Sequence, residues 1–126
     1  NDPLAAQSAV ALADLVSRPM VLLDASPSRD YFLSLFDGIG DPHVAYRTGT
    51  FEMVRGMVAH GLGYSLLATK PASAMSYDGK ALVTRPLADS VETSRLVLSQ
   101  RRDVELAKSA EAFVWHCVQI FGLDMD

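Results

Sequence analysis

The sequence predicts an α/β fold with an open, mostly parallel sheet and flanking helices. Three observations predict it. Short apolar runs of strand length recur along the chain, the clearest at residues 20–24. Between them lie stretches with apolar residues at helical spacing, such as Phe51, Val54 and Val58. Glycine, proline, serine and threonine cluster where one pattern gives way to the other.

Residues 1–7 read as a loop, with Pro3 as an early breaker. Residues 12–17 suit one or two helical turns, ended before Pro19. The continuous apolar run at 20–24 suits a central parallel strand. Ser26-Pro27 is a good helix start, with the serine hydroxyl at the N-cap and proline at the first helical position. Tyr31, Phe32, Leu35 and Phe36 give that helix a buried face, and Gly38 ends it. Residues 37–42 form a turn, and 43–47 a second strand.

The most informative stretch follows, from Tyr46 to Leu67. It reads as a strand end, a turn, an amphipathic helix, a glycine stop and a third strand. Thr48 and Thr50 flank Gly49 where a hydroxyl can cap free backbone N–H groups. Gly61 suits a left-handed C-terminal cap. Gly63 precedes the apolar run 64–67. Such a βαβ unit sets an open helix N-terminus beside the carboxyl end of its first strand, where ligands bind in open parallel sheets.

Residues 69–80 read as a polar loop, with Pro71 as breaker and Asp78-Gly79 as a turn. Residues 81–87 and 95–100 are expected to be two more strands. A final helix is expected from about 104 to 121, with Asp103 at its N-cap and Gly122 at its C-cap. Leu106, Ala110, Phe113, Cys117 and Ile120 form an apolar stripe on it that must bury against something.

Bulk properties narrow the function. The 126 residues suffice for one modest domain, and 49% hydrophobic with 21% charged residues is ordinary for a globular protein. A formal net charge of −4 argues against this segment gripping nucleic acid by itself. A single cysteine, Cys117, excludes an intrachain disulfide and fits a reducing compartment. No apolar run approaches membrane-spanning length. The chain opens on Asn1-Asp2-Pro3 without an initiator methionine, and is expected to be a piece of something longer.

The candidate chemistry is binding. The helix starts at Ser26-Pro27-Ser28 and Thr48-Gly49-Thr50 present hydroxyls and N–H donors, which favour an anion. Plain capping is the competing reading for each. Arg29 and Arg47 can pair a carboxylate bidentately, or instead pair Asp30 and Glu52 on the surface. Tyr31, Tyr46 and Tyr64 can offer rim hydroxyls or sit half-buried. His43, His60 and His116 have no metal-ligand spacing, and His60 complements the dipole at a helix C-terminus. The run Gly61 to Leu66 is neither a nucleophile elbow nor a dinucleotide fingerprint. No catalytic residue, metal site or cofactor is expected.

A family resemblance joins these readings. Phe51-Glu52, Val54, Val58-Ala59 and Gly61 to Leu67 resemble the effector-binding domain of LysR-type transcriptional regulators. In the same order, Leu12 to Leu15 and Pro19 to Asp24 resemble the entry into that domain's second subdomain. Ser28 to Phe32 resemble the next helix start, and Arg85-Pro86-Leu87 and Arg95 to Leu98 the closing strands. The resemblance implies half of a bilobal periplasmic-binding-protein-like (type 2) effector domain. Residues 1–100 would be the second subdomain, and 101–126 a helix returning to an absent first subdomain. Uncovered, that helix is expected to drive self-association or swapping.

It further implies a small-molecule, anionic effector whose binding shifts a hinge in a cytoplasmic homo-oligomer. DNA would be engaged only through an N-terminal winged helix-turn-helix absent here. Effector contacts would come from Ser26, Ser28, Arg29, Arg47, Thr48 and Thr50, with Phe51 as an apolar wall. A solute-binding protein of a transport system shares the implied fold, and a small α/β enzyme is the third reading.

Overall fold

The computed structural model describes residues 2–93 and 97–122. Its regular elements run in the order β1 (Met20–Leu23), α1 (Ser28–Ser34), β2 (Val44–Thr48), α2 (Phe51–Ala59) and α3 (Lys108–Phe121). Two short 3-10 turns, Pro3–Ala6 and Leu12–Asp14, precede β1. The chain divides into two compact units, Asn1–Ser94 and Arg95–Asp126.

In the first unit β1 and β2 pair in parallel, with Leu23 opposite Thr48. Parallel pairing needs a crossover, and α1 supplies it. β1 is the central strand because its apolar run can be buried on both faces. Met20, Val21 and Leu22 are fully buried. At about 1.5–3 kcal/mol for each side chain removed from water, this tripeptide anchors the unit. Met20 and Leu22 cluster with Phe32 and Phe36 of the α1 segment and with Leu12, Leu15 and Leu66.

On its other edge β1 meets the segment after α2. Tyr64 donates its N–H to the Pro19 carbonyl at 3.0 Å and accepts from the Val21 N–H at 2.7 Å. This parallel contact, Met20 with Tyr64, is an isolated bridge where a third strand was expected. Gly63 permits it: a Cβ there would stand 2.1 Å from the Pro19 carbonyl oxygen. Before that, α2 closes in a left-handed cap. Gly61 has φ of 78° and donates to the Val58 carbonyl, while the Leu62 N–H reaches the Met57 carbonyl at 3.1 Å.

Other expectations need correction too. Residues 81–87 do not form a strand; Leu87 bridges Val10 in parallel and Ala81 bridges Met75. Polar turns around Asp78-Gly79 use the chain locally instead. Of the strand expected at 95–100, residues 95 and 96 lie outside the described residues, and 97–100 are not extended into a ladder. Asp103 does not cap the last helix: α3 begins at Lys108 behind Ala107, and Asp103 instead pairs with Arg101 at 2.9 Å. Gly122 does close α3, at φ of 59°. α3 has no buried residue, so its apolar stripe is uncovered, and Cys117 on it is half-buried.

Candidate functional site

Because β1 and β2 run parallel, with Leu23 opposite Thr48 beyond a register shift at Met20, their carboxyl ends lie at one edge of the sheet. The Asp24 N–H donates to the Thr48 carbonyl at 2.8 Å, tying the two exits together. The chain leaves β1 through Ser26 and Ser28 into α1, and leaves β2 through Gly49 and Thr50 into α2. The serine-bearing and threonine-bearing turns therefore start from neighbouring strand ends.

The local details differ from simple capping. Pro27, not Ser26, precedes α1, and no side chain caps that helix. Ser26 is exposed and Ser28 half-buried. Thr50 does occupy the N-cap of α2, with extended backbone, yet its hydroxyl makes no capping bond. The first N–H groups of a helix have no acceptor within it. At α2 they are left for water or a ligand, in the positive field of the helix end. Phe51, at 37% exposed, stands at this edge as an apolar surface.

Asp24 organises the charges, and sequence reading missed it. One of its oxygens lies 3.1 Å from Arg29 Nη1 and the other 3.8 Å from Arg47 Nη1. Arg29 also pairs with Asp30 at 3.1 Å. Asp30 first, and Asp24 next, hold the Arg29 proton more tightly than usual. Arg47 does not pair with Glu52, which goes to Arg55. Two arginines and two carboxylates thus stand at the edge, and Asp24 occupies both guanidinium groups. The only available signal was that Asp24 is the last residue of the apolar run.

The tyrosines divide. Tyr31 donates to the Glu92 carbonyl at 2.8 Å, and Tyr46 is exposed on β2. Burial pushes Tyr64 up to about 12, and its hydroxyl has no partner among the described residues. His60 does more than face a helix end: its Nε2 lies 2.6 Å from Asp78. Among the described residues no cluster of His, Cys, Asp and Glu could hold a metal ion, and no helix is long and apolar enough to cross a membrane.

The α/β unit gathers helix starts and arginines at the carboxyl end of a parallel sheet, the edge at which open α/β sheets bind ligands. Residues 1–121 match the LysR substrate binding domain family, and the chain belongs to that family. It is similar to HinK, a LysR family transcriptional regulator from Pseudomonas aeruginosa, with 44% identity and a TM-score of 0.87 over 95% of this chain and 42% of that one. The C-terminal domain of a probable LysR family regulator from Rhodococcus sp. RHA1 is 34% identical, with a TM-score of 0.80 over 92% of this chain and 58% of that one. An uncharacterized HTH-type transcriptional regulator of Bacillus subtilis, YvbU, is 28% identical over 98% of this chain and 42% of its own length. The chain thus spans about half the length of the relatives it matches.

Proposed function

We propose that this chain is the ligand-sensing part of a LysR-type transcriptional regulator. It forms one half of a bilobal, periplasmic-binding-protein-like receptor, with residues 1–100 as the second subdomain and 101–126 returning to the first. A small anionic effector binds where β1 and β2 end. Ser26, Ser28, Thr48 and Thr50 offer hydroxyl and main-chain donors, Arg29 and Arg47 exchange Asp24 for the effector's anionic group, and Phe51 supplies an apolar wall. Closure on the effector stabilises one hinge angle, which a cytoplasmic homo-oligomer relays to its DNA-binding domains. The chain does no covalent chemistry.

The observation that carries this reading is the adjacency of the two turns at one sheet edge, tied by the Asp24 N–H to the Thr48 carbonyl. The relatives favour a regulator over a transport protein, since those above are named as regulators or as a domain of one. Calorimetric titration of the full-length regulator with small metabolite carboxylates tests it. The combined variant Ser28→Ala with Thr50→Val should weaken the tightest interaction at least tenfold. Unchanged affinity in that variant removes the strand-end edge as the effector site.

A further inference from the structure

Among the described residues, Arg55 on α2 is the only charged side chain that is buried, at 5% exposed. A buried guanidinium is costly unless its charge and donors are met. Its Nη2 donates to the carbonyls of Ser73, at 2.9 Å, and of Met75. Its Nε lies 3.3 Å from a Glu52 oxygen, close enough for charge pairing but not aligned for a hydrogen bond. Its central carbon stands 5.7 Å from the centre of the Phe51 ring, within cation–π reach. Phe51 and Glu52 precede it at spacings that put all three on one side of the helix.

Phe51 and Glu52 belong to the first turn of α2, at the strand-end edge. Ser73 and Met75 belong to a ribbon, residues 73–82, that is knitted to itself. Ser76 donates its N–H to the Lys80 carbonyl at 2.8 Å, and Leu82 donates to Ala74 at 2.7 Å. Met75 bridges Ala81 antiparallel, and Ser76 is buried. The ribbon meets α2 again where Asp78 pairs with His60, but that pair is about half exposed and contributes little. One guanidinium thus joins the effector edge to the ribbon. Phe51 and Glu52 are exposed on the edge side, while the carbonyl bonds on the ribbon side are partly buried.

We propose that Arg55 is a positioning residue, which couples effector binding at the first turn of α2 to the ribbon 73–82. The coupling rests on the strand-end reading for what disturbs that turn. An anion arriving beside Thr50 and Phe51 repels Glu52 and displaces the Phe51 ring. Both hold the guanidinium, so its grip on the Ser73 and Met75 carbonyls changes with them. By linkage, the ribbon in turn sets how Phe51 and Glu52 stand at the edge.

Hydrogen exchange of the full chain, labelled with ¹⁵N and with no ligand added, tests the coupling by itself. The variant Phe51→Leu with Glu52→Gln removes both edge contacts of Arg55. It should move the Arg55 Nε–H signal. It should also quicken exchange of the Ser76 and Leu82 amides roughly fivefold more than that of the Val21 amide, which is bonded in the sheet. Arg55→Lys keeps the charge and loses the planar fork. In that background the same two substitutions should leave Ser76 and Leu82 no faster relative to Val21. Exchange that never exceeds the change at Val21, or an equal excess with and without Arg55→Lys, overturns the proposal. Should Arg55→Lys not fold, an Arg55 Nε–H signal unmoved in the first variant overturns it alone. Carboxylates that bind and leave the Ser28 and Thr50 amides unmoved would instead remove the effector edge, with the coupling still measured.

Discussion

Asp24 sits between Arg29 and Arg47, so what the strand-end edge can bind depends on one carboxylate. These pairs are partly exposed, and partly exposed pairs contribute little to stability. Asp24→Asn should therefore cost less than about 1 kcal/mol in a urea melt. It should also tighten binding of a dicarboxylate several-fold by calorimetry, because both guanidinium groups lose their internal competitor. Unchanged affinity would show that the arginines do not receive the anion. Two glycines make a sharper contrast. Gly61 and Gly63 look alike in sequence, yet a Cβ on Gly61 meets open space while one on Gly63 strikes the Pro19 carbonyl. Gly61→Ala should cost about 1 kcal/mol for its left-handed backbone. Gly63→Ala should cost about 3 kcal/mol or more, since main chain must move. Equal losses in denaturant melts would mean that Tyr64 does not pair with β1. The cap at Gly61 was legible locally. The need at Gly63 was not, because Pro19 is distant in sequence.

At the scale of elements, the parts set by local periodicity and caps were legible: β1, β2 and α2 lie within a residue of where the spacing predicted them, while α1 is shorter than predicted and ends at Ser34, ahead of Leu35, Phe36 and Gly38. What failed depends on contacts between segments. Nothing local to α2 marks Arg55 as buried; its place depends on the carbonyls of Ser73 and Met75. Residues 81–87 have strand character but, among the described residues, find a bridge partner only at their ends. The pairing of His60 with Asp78 was invisible for the same reason. It links the end of α2 to the turn at 76–80, where Ser76 also donates to Asp78 at 2.5 Å. Those two hydrogen bonds, Ser76 first and then His60, lower Asp78 to about 2 from 3.8. A carboxylate depressed in the fold contributes stability above its unfolded value, and loses it as pH falls through the folded value. Stability should therefore decline between about pH 4 and pH 2 partly through this group. In acid titrations followed by circular dichroism, Asp78→Asn should flatten that limb. An identical limb in the variant would assign the acid sensitivity elsewhere.

At the scale of the molecule, the family was legible because many weak local patterns fall in one order along the chain, and residues 1–121 match the family model. The role of α3 is set by what covers it. Phe113, Trp115, Ile120 and Phe121 are all more than half exposed. Apolar area of that size favours association. Sedimentation should show concentration-dependent self-association of the chain, reduced by Phe113→Glu with Ile120→Glu. A monomer at all concentrations would contradict it.

In the proposed function the ends of β1 and β2 act as one receptor edge for a metabolite anion. Amide shift mapping of the full chain against pooled small carboxylates tests it most directly. The Ser28 and Thr50 amides should shift together and saturate with a single dissociation constant. Saturable binding that leaves both amides unmoved, or that gives them different constants, would contradict it.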